Sequence, residues 1–102
     1  MYYLPKFGYV EYIVATCGVE SLMKENTDFK NFVQKSLSRF HRCDWGEMDE
    51  EDIQANNNAL VDESRILGAY EEGVLPKIWI IAEAVSDTGV REAITVLFPS
   101  EY

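Results

Sequence analysis

The residues of this chain best suited to chemistry lie around its single histidine. His41 and Cys43 are separated by one residue, Asp44 follows directly, and the second cysteine, Cys17, lies earlier in the chain. Thiolate, imidazole and carboxylate groups bind Zn²⁺, and a structural zinc site usually has four protein ligands in a tetrahedron. If helix pairing brings Cys17 to the later segment, with Asp44 or Asp49 as fourth ligand, these residues predict a structural zinc site.

The same residues leave other interpretations open. Both cysteines could be small buried apolar residues, with His41 capping the end of a helix. A Cys–His nucleophilic pair would need an oxyanion loop and a third orienting residue, and the sequence indicates neither. The carboxylates of residues 49–52 could hold Mg²⁺, but a nuclease would also need basic residues for its substrate. No P-loop or GxGxxG motif is present, so we expect a protein that is not an enzyme.

Charge is the most unusual property of the composition. The chain has 18 acidic and 9 basic residues, a formal net charge of −9. This excess argues against direct nucleic-acid binding, because phosphate contacts need lysine and arginine. Residues 44–63 hold eight carboxylates and no basic residue. Apart from Asp44, the acidic residues of this segment are Glu47, Asp49, Glu50, Glu51, Asp52, Asp62 and Glu63.

These seven residues predict a partner-binding face that docks on a basic protein surface. The alternative is a solvated helix face whose acidic first turn is favoured by the helix dipole. No apolar run approaches the roughly 20 residues of a transmembrane helix, so no membrane partner is expected. The N-terminus lacks the features of a signal peptide, and two cysteines are too few for a disulfide framework. We therefore expect a cytoplasmic protein with reduced thiols.

The pattern of apolar residues predicts the elements that must position these groups. Residues 9–16 alternate as in a strand, and Thr16 can cap a short first helix. A second helix is predicted from Asp28 by one apolar stripe, and a third from Asp49, a good N-cap, to about Ser64. Residues 66–71, 77–84 and 92–98 are short apolar runs separated by turns. The order β-α-α-α-β-β-β predicts a single α+β domain over residues 1–102. Its antiparallel sheet would have about four strands, with two to three helices on one face.

The two tryptophans have separate expected roles. Trp45 is predicted to pack the corner between two helices onto the sheet, while Asp44 accepts backbone N–H bonds in the turn. Trp79 is predicted either as a core residue or, if exposed with Tyr70 across the sheet, as a binding anchor.

Several sequence blocks occur in a recognisable order. They are YIVATCG, CDWG, EED before an asparagine-rich helix, SRILGAY, KIWIIAEA and ITVLFPSEY. This order resembles a family of small bacterial proteins found on plasmids, phages and other mobile elements, over residues 8–102. The chain has Cys43 where the family pattern has glycine, and a longer connection, EAVSDTGVREA, between the last two strands.

The resemblance implies a cytoplasmic protein of a mobile element and brings no established activity. Small acidic single-domain proteins of phages and plasmids often look like inhibitors of host defence, anti-CRISPR proteins among them. An acidic surface can occupy the basic channel of a CRISPR effector nuclease that would otherwise hold guide or target nucleic acid. The sequence thus predicts an anti-CRISPR protein, or alternatively a non-enzymatic interaction or regulatory module of a plasmid or prophage.

Overall fold

A computed structural model describes all 102 residues of the chain. Its elements are β1 (Tyr2–Leu4), β2 (Gly8–Ala15), α1 (Cys17–Glu25), α2 (Thr27–His41), α3 (Glu50–Asp62), β3 (Ile66–Tyr70), β4 (Ile78–Ala82), β5 (Arg91–Leu97) and a 3₁₀ turn (Pro99–Glu101). The predicted α+β class is confirmed, as are three helices followed by three strands. None of the helices has the length and apolar character needed to cross a membrane.

The sheet differs from the predicted antiparallel sheet of about four strands. It has five strands in the order β1-β2-β5-β4-β3, and it is mixed because β2 pairs with β5 in parallel. Parallel neighbours need a long crossover connection, and the three helices with β3 and β4 supply it. The strands after the helices form an antiparallel meander, whose last strand returns beside β2 in the same direction.

The additional strand, β1, forms a hairpin with β2. It has only three residues before Pro5, and Tyr3 pairs with Tyr9. The connecting turn is closed by the Phe7 N–H, which donates to the Leu4 carbonyl at 2.8 Å, and Gly8 takes a positive φ of 78°. Proline and glycine flanking a short connection are typical of a turn, and this signal identifies the hairpin.

The helices begin at side chains that cap their free N–H groups. The predicted caps are confirmed, because Thr16 accepts from the Val19 N–H and Asp49 from the Asp52 N–H. Helix α2 is capped by Asn26 and begins one residue before Asp28. Its predicted apolar stripe lies in the core, with Phe29, Phe32, Val33 and Phe40 buried and Leu37 half-buried.

One face of the sheet packs against the buried residues of the helices, and the opposite face does not contribute to that core. Buried residues of all three helices join a single core with Ile66, Tyr70, Ile78, Ile80, Ala82, Ile94 and Val96. Strand side chains alternate between faces, so the intervening residues lie on the opposite side. Val10 and Arg91, at the start of β2 and β5, are exceptions to this alternation, because both are buried on the helix side. We call this side the open face; it comprises Tyr12, Val14, Leu67, Ala69, Trp79, Ile81, Ala93, Thr95 and Leu97.

The aromatic pair considered as a binding anchor is divided by the sheet. Trp79 is half-buried and pairs with Ala69 on the open face. Tyr70 is fully buried against the helices on the other face. The prediction that Trp79 and Tyr70 could form one anchor is therefore wrong, because adjacent positions of paired strands point in opposite directions.

Candidate functional site

Helix α2 ends in a tight reversal that leads into the corner, residues 44–46. The Cys43 N–H donates to the Phe40 carbonyl and the Asp44 N–H to the Arg39 carbonyl, each at 2.9 Å. These two bonds define a Schellman motif, in which the residue after the C-cap takes a left-handed conformation. Cys43 is that residue, with φ 64°. The position favours glycine because a β-carbon is strained there.

Asp44 holds the corner together through its side chain and its carbonyl. Its carboxylate accepts from Arg39 Nε at 2.8 Å and Nη2 at 3.1 Å, and from the Gly46 N–H at 3.1 Å. The hydrogen bond from Arg39 lowers the pKa of Asp44, and the same bond raises the pKa of Arg39. The buried Tyr70 hydroxyl donates to the Asp44 carbonyl at 2.7 Å. The prediction that Asp44 accepts a backbone N–H bond in the turn is confirmed by its bond from Gly46.

Trp45 packs the corner into the core, as the sequence predicts. The indole is 3 % exposed, and its ring lies edge-on to Phe40 and Phe7 at centroid distances of 5.3 and 6.1 Å. The indole N–H donates to Asn57 Oδ1 of α3 at 3.1 Å. The polar end of the side chain thus joins the corner to α3, while its rings fill the core.

The corner and α3 together cover the outer edge of β3. The Ala69 N–H donates to the Trp45 carbonyl at 3.0 Å, and the Glu47 N–H donates to the Ala69 carbonyl at 2.6 Å. Two residues earlier, the Asn56 amide accepts from the Leu67 N–H at 3.3 Å and donates to its carbonyl at 2.7 Å. Unpaired strand edges invite association with other chains. The corner therefore acts as a structural cap on this edge.

The four predicted zinc ligands are not gathered into one site. Cys17 is exposed at the start of α1, and Asp44 is already bonded to Arg39. Burial raises the pKa of Cys43, which disfavours the thiolate that binds metals. Burial also lowers the pKa of His41, whose Nε2 is enclosed without a hydrogen-bond partner. No group of three or more His, Cys, Asp or Glu side chains could hold a metal ion in this structure. Zinc binding stays a prediction.

Replacing Cys43 with glycine separates zinc binding from simple backbone geometry. Glycine adopts the left-handed conformation without strain, so we expect Cys43→Gly to raise the free energy of unfolding by about 0.5–1 kcal/mol. A zinc-bound protein would instead lose its metal and melt at a lower temperature. Thermal melting should be measured together with elemental analysis of protein purified without a metal-affinity tag. Zinc in the wild type and a lower melting temperature in the variant would contradict the backbone account.

The predicted partner-binding carboxylates are all exposed, but they lie in two groups. Glu47 and residues 49–52 surround the first turn of α3, whereas Asp62 and Glu63 lie at its end. A helix of 13 residues is about 20 Å long. Between the groups, the exposed side chains of α3 are uncharged, among them Gln54, Asn57 and Asn58. The predicted acidic face therefore consists of two separate acidic ends.

Arg91 is an unusual residue that sequence reasoning did not single out. It is 1 % exposed, and its Nη1 donates to the carbonyls of Ser64 at 2.7 Å and Glu83 at 2.8 Å. Its Nη2 donates to the Ala59 carbonyl near the end of α3 at 3.3 Å. Burial lowers its pKa, while the charges of Glu63 and Asp62 raise it. The sequence VREAITVL places this arginine at the start of an apolar strand, and this position was the signal that could have identified it.

The corner thus has a structural role, and the carboxylates around α3 are exposed and take part in no ion pair within the chain. Comparisons with protein-family models, with curated proteins and with solved structures found no match in any of the three.

Proposed function

We propose that this chain is a non-enzymatic inhibitor of a bacterial CRISPR effector nuclease, carried by a phage or plasmid and acting in the host cytoplasm. The acidic first turn of α3 would dock on the basic surface that the effector uses for guide or target nucleic acid, and so block loading. The proposal also rests on the resemblance to mobile-element proteins.

The observation that carries the proposal is that the carboxylates at the start of α3 are exposed and have no ion-pair partner within the chain. Glu47 and residues 49–52 are exposed, and none takes part in the four ion pairs of the structure. A carboxylate already paired within its own chain has less to gain from a partner's lysine or arginine. Unpaired charges of one sign raise the association rate with a surface of opposite sign.

The two acidic ends of α3 suggest how the chain would compete with nucleic acid. Phosphate groups repeat along a nucleic-acid strand, and a channel that holds this strand is lined with lysine and arginine side chains. The first turn of α3, with Glu50, Glu51 and Asp52, presents the denser group of charges. The corner fixes this turn, because Trp45 is bonded to Asn57 and Glu47 to Ala69. A rigid group loses less entropy on binding than a flexible one.

Reversing the charges of the first turn should slow association with the effector. We expect the triple variant Glu50→Lys, Glu51→Lys, Asp52→Lys to bind about tenfold more weakly, since three exposed charges at about 0.5 kcal/mol each give about 1.5 kcal/mol. Added salt should weaken the wild type in the same way. The measurement is association rate and affinity by surface plasmon resonance.

A matched control changes the same number of charges elsewhere. Glu20, Glu25 and Asp28 are exposed on α1 and in the first turn of α2. Their reversal to lysine gives the same net charge, so equal weakening by both triple variants would contradict a specific docking site. A third variant, Asp62→Lys with Glu63→Lys, shows whether the far end of α3 also contacts the effector. Melting curves confirm that each variant is folded.

Plasmid interference in cells tests the activity directly. The chain should be co-expressed with CRISPR systems of several types, and survival of a targeted plasmid should rise with the type it inhibits. Unchanged survival across all types would contradict the proposal. That result would leave the alternative, an interaction or regulatory module of a plasmid or prophage.

A further inference from the structure

The open face is an apolar surface without a single charged side chain. Ile81 and Leu97 are 4 % and 6 % exposed, whereas Val14 and Tyr12 are 44 % and 56 % exposed. Tyr102 reaches it, with its ring 5.6 Å from that of Trp79, and at the β3 edge Leu67 lines a cavity together with Met48, Asp52 and Ala55. A sheet that packs helices on one face normally leaves a polar surface on the other. This sheet is apolar on both faces, so the open face is suited to burial.

Charged residues border the open face at both ends of β3 and β4. Arg65 and Glu83 form an ion pair of 3.9 Å at one end, one position beyond the pairing of Ile66 with Ala82. Arg65 also lies 4.9 Å from the Tyr102 ring, which places it on the open side. By the same alternation, Glu71 and Lys77 border the other end. The ends of β3 and β4 therefore carry two positive and two negative residues.

We propose that the open face is the interface of a homodimer, with a second copy of this chain as its occupant. Two such faces would pack as a sandwich about 10 Å apart, with nearly aligned strands. The dimer would have a two-fold axis between the sheets, perpendicular to the strands and level with the paired residues Gly68 and Ile80. Each strand then lies over its own copy, turned end for end.

This symmetry brings opposite charges together at both borders. On β3, Arg65 and Glu71 are each three residues from Gly68, so Arg65 of one copy faces Glu71 of the second copy. On β4, Lys77 and Glu83 are each three residues from Ile80, so they face one another in the same way. The surface is thus complementary to itself, which an isologous interface requires.

The charge of the whole chain also favours a second copy on this face over a basic partner. Each copy carries −9, so two copies repel wherever acidic surfaces approach. The open face reduces this cost, because it has no charge within and the borders of β3 and β4 carry as many positive as negative residues. A basic partner would gain nothing from it and would prefer the carboxylates of α3.

The size of the interface sets the expected strength of the dimer. Four strands spaced about 4.8 Å apart, each about five residues long between the borders, give roughly 320 Å² on each copy. The two copies would bury roughly 640 Å², which is below the range of about 1,200–2,000 Å² for stable complexes. We therefore expect a weak, reversible dimer that dissociates on dilution.

Sedimentation equilibrium over a range of protein concentrations tests the proposal. Thr95 lies in the middle of the open face, paired with Ile81 on one side and Val14 on the other. Thr95→Lys should weaken dimerisation at least about tenfold by burying a charge. Thr88→Lys, in the exposed turn before β5, is the matched control and should dimerise as the wild type does. A wild type that stays monomeric at millimolar concentration, or a dimer that survives Thr95→Lys, would overturn the proposal.

A charge exchange at the border tests the symmetry without disturbing the core of the face. Arg65 and Glu71 are exposed, so neither variant threatens folding. Arg65→Glu and Glu71→Arg should each weaken the dimer several-fold, because each brings like charges together across the axis. The double variant should regain the affinity of the wild type. A double variant weaker than both single variants would exclude this arrangement.

Discussion

Replacing Gly46 with alanine is expected to lower the free energy of unfolding by about 3 kcal/mol or more. Gly46 has a φ of 77°, and an added β-carbon would lie 2.0 Å from the Ala69 carbonyl oxygen and 2.8 Å from Tyr70 Cδ1. The oxygen belongs to the backbone of β3 and cannot move aside alone. The corner must therefore separate from the strand edge, with loss of the bonds that join Trp45 and Glu47 to Ala69.

Gly89 provides a control for the backbone conformation alone. It has a similar φ of 80°, but nothing lies within 4 Å of an added β-carbon. Gly89→Ala should therefore cost only about 1 kcal/mol, the strain of an L-residue in this conformation. Urea unfolding of both variants gives the difference. Equal losses in the two variants would show that the contact with β3 is not close in solution.

Local features of the fold were predictable from the sequence, and the arrangement of the sheet was not. Thr16 and Asp49 were recognised as caps because their hydrogen bonds lie within one helical turn. The parallel pairing of Ile13 with Ile94 joins residues far apart in the chain, and no local pattern specifies it. The capping role of the corner could not be predicted without the strand order. Ala69 is free to bond with Trp45 only because β3 is an edge strand.

The residue types of the candidate site were predictable from the sequence, but their arrangement in space was not. The exposure of the carboxylates of α3 followed from their charge, yet their separation into two ends follows from the helix length. Cys43 was considered as a metal ligand because of its neighbours, while the structure shows it in a left-handed position. Glycine is the residue usually preferred at this position, because it adopts the left-handed conformation without strain.

Several of the recognisable sequence blocks form one structural unit. Asp44, Trp45 and Gly46 of CDWG contact Tyr70 of SRILGAY and Asn57 of the asparagine-rich helix. These contacts give the blocks a structural role in this chain, because they join the corner to β3 and α3.

Replacing Arg91 with alanine, like replacing Gly46, should cause a large loss of stability. Three carbonyls, those of Ala59, Ser64 and Glu83, accept hydrogen bonds from this one buried guanidinium. Alanine would leave the carbonyls without their donor, leave a cavity, and remove the positive charge near Asp62 and Glu63. Each unsatisfied buried acceptor costs about 1 kcal/mol or more, so we expect a loss of about 4 kcal/mol by urea unfolding.

Arg91 joins α3 to the sheet, because its partners belong to the end of α3, the residues before β3 and the residues after β4. Arg91→Lys keeps the charge but has no planar fork, so it should recover only part of the loss. Arg65→Ala is the matched control, since Arg65 is exposed and its ion pair is long, and should cost less than about 1 kcal/mol. Full recovery by lysine would show that charge alone matters. The directional bonds to the three carbonyls would then contribute little to the position of α3.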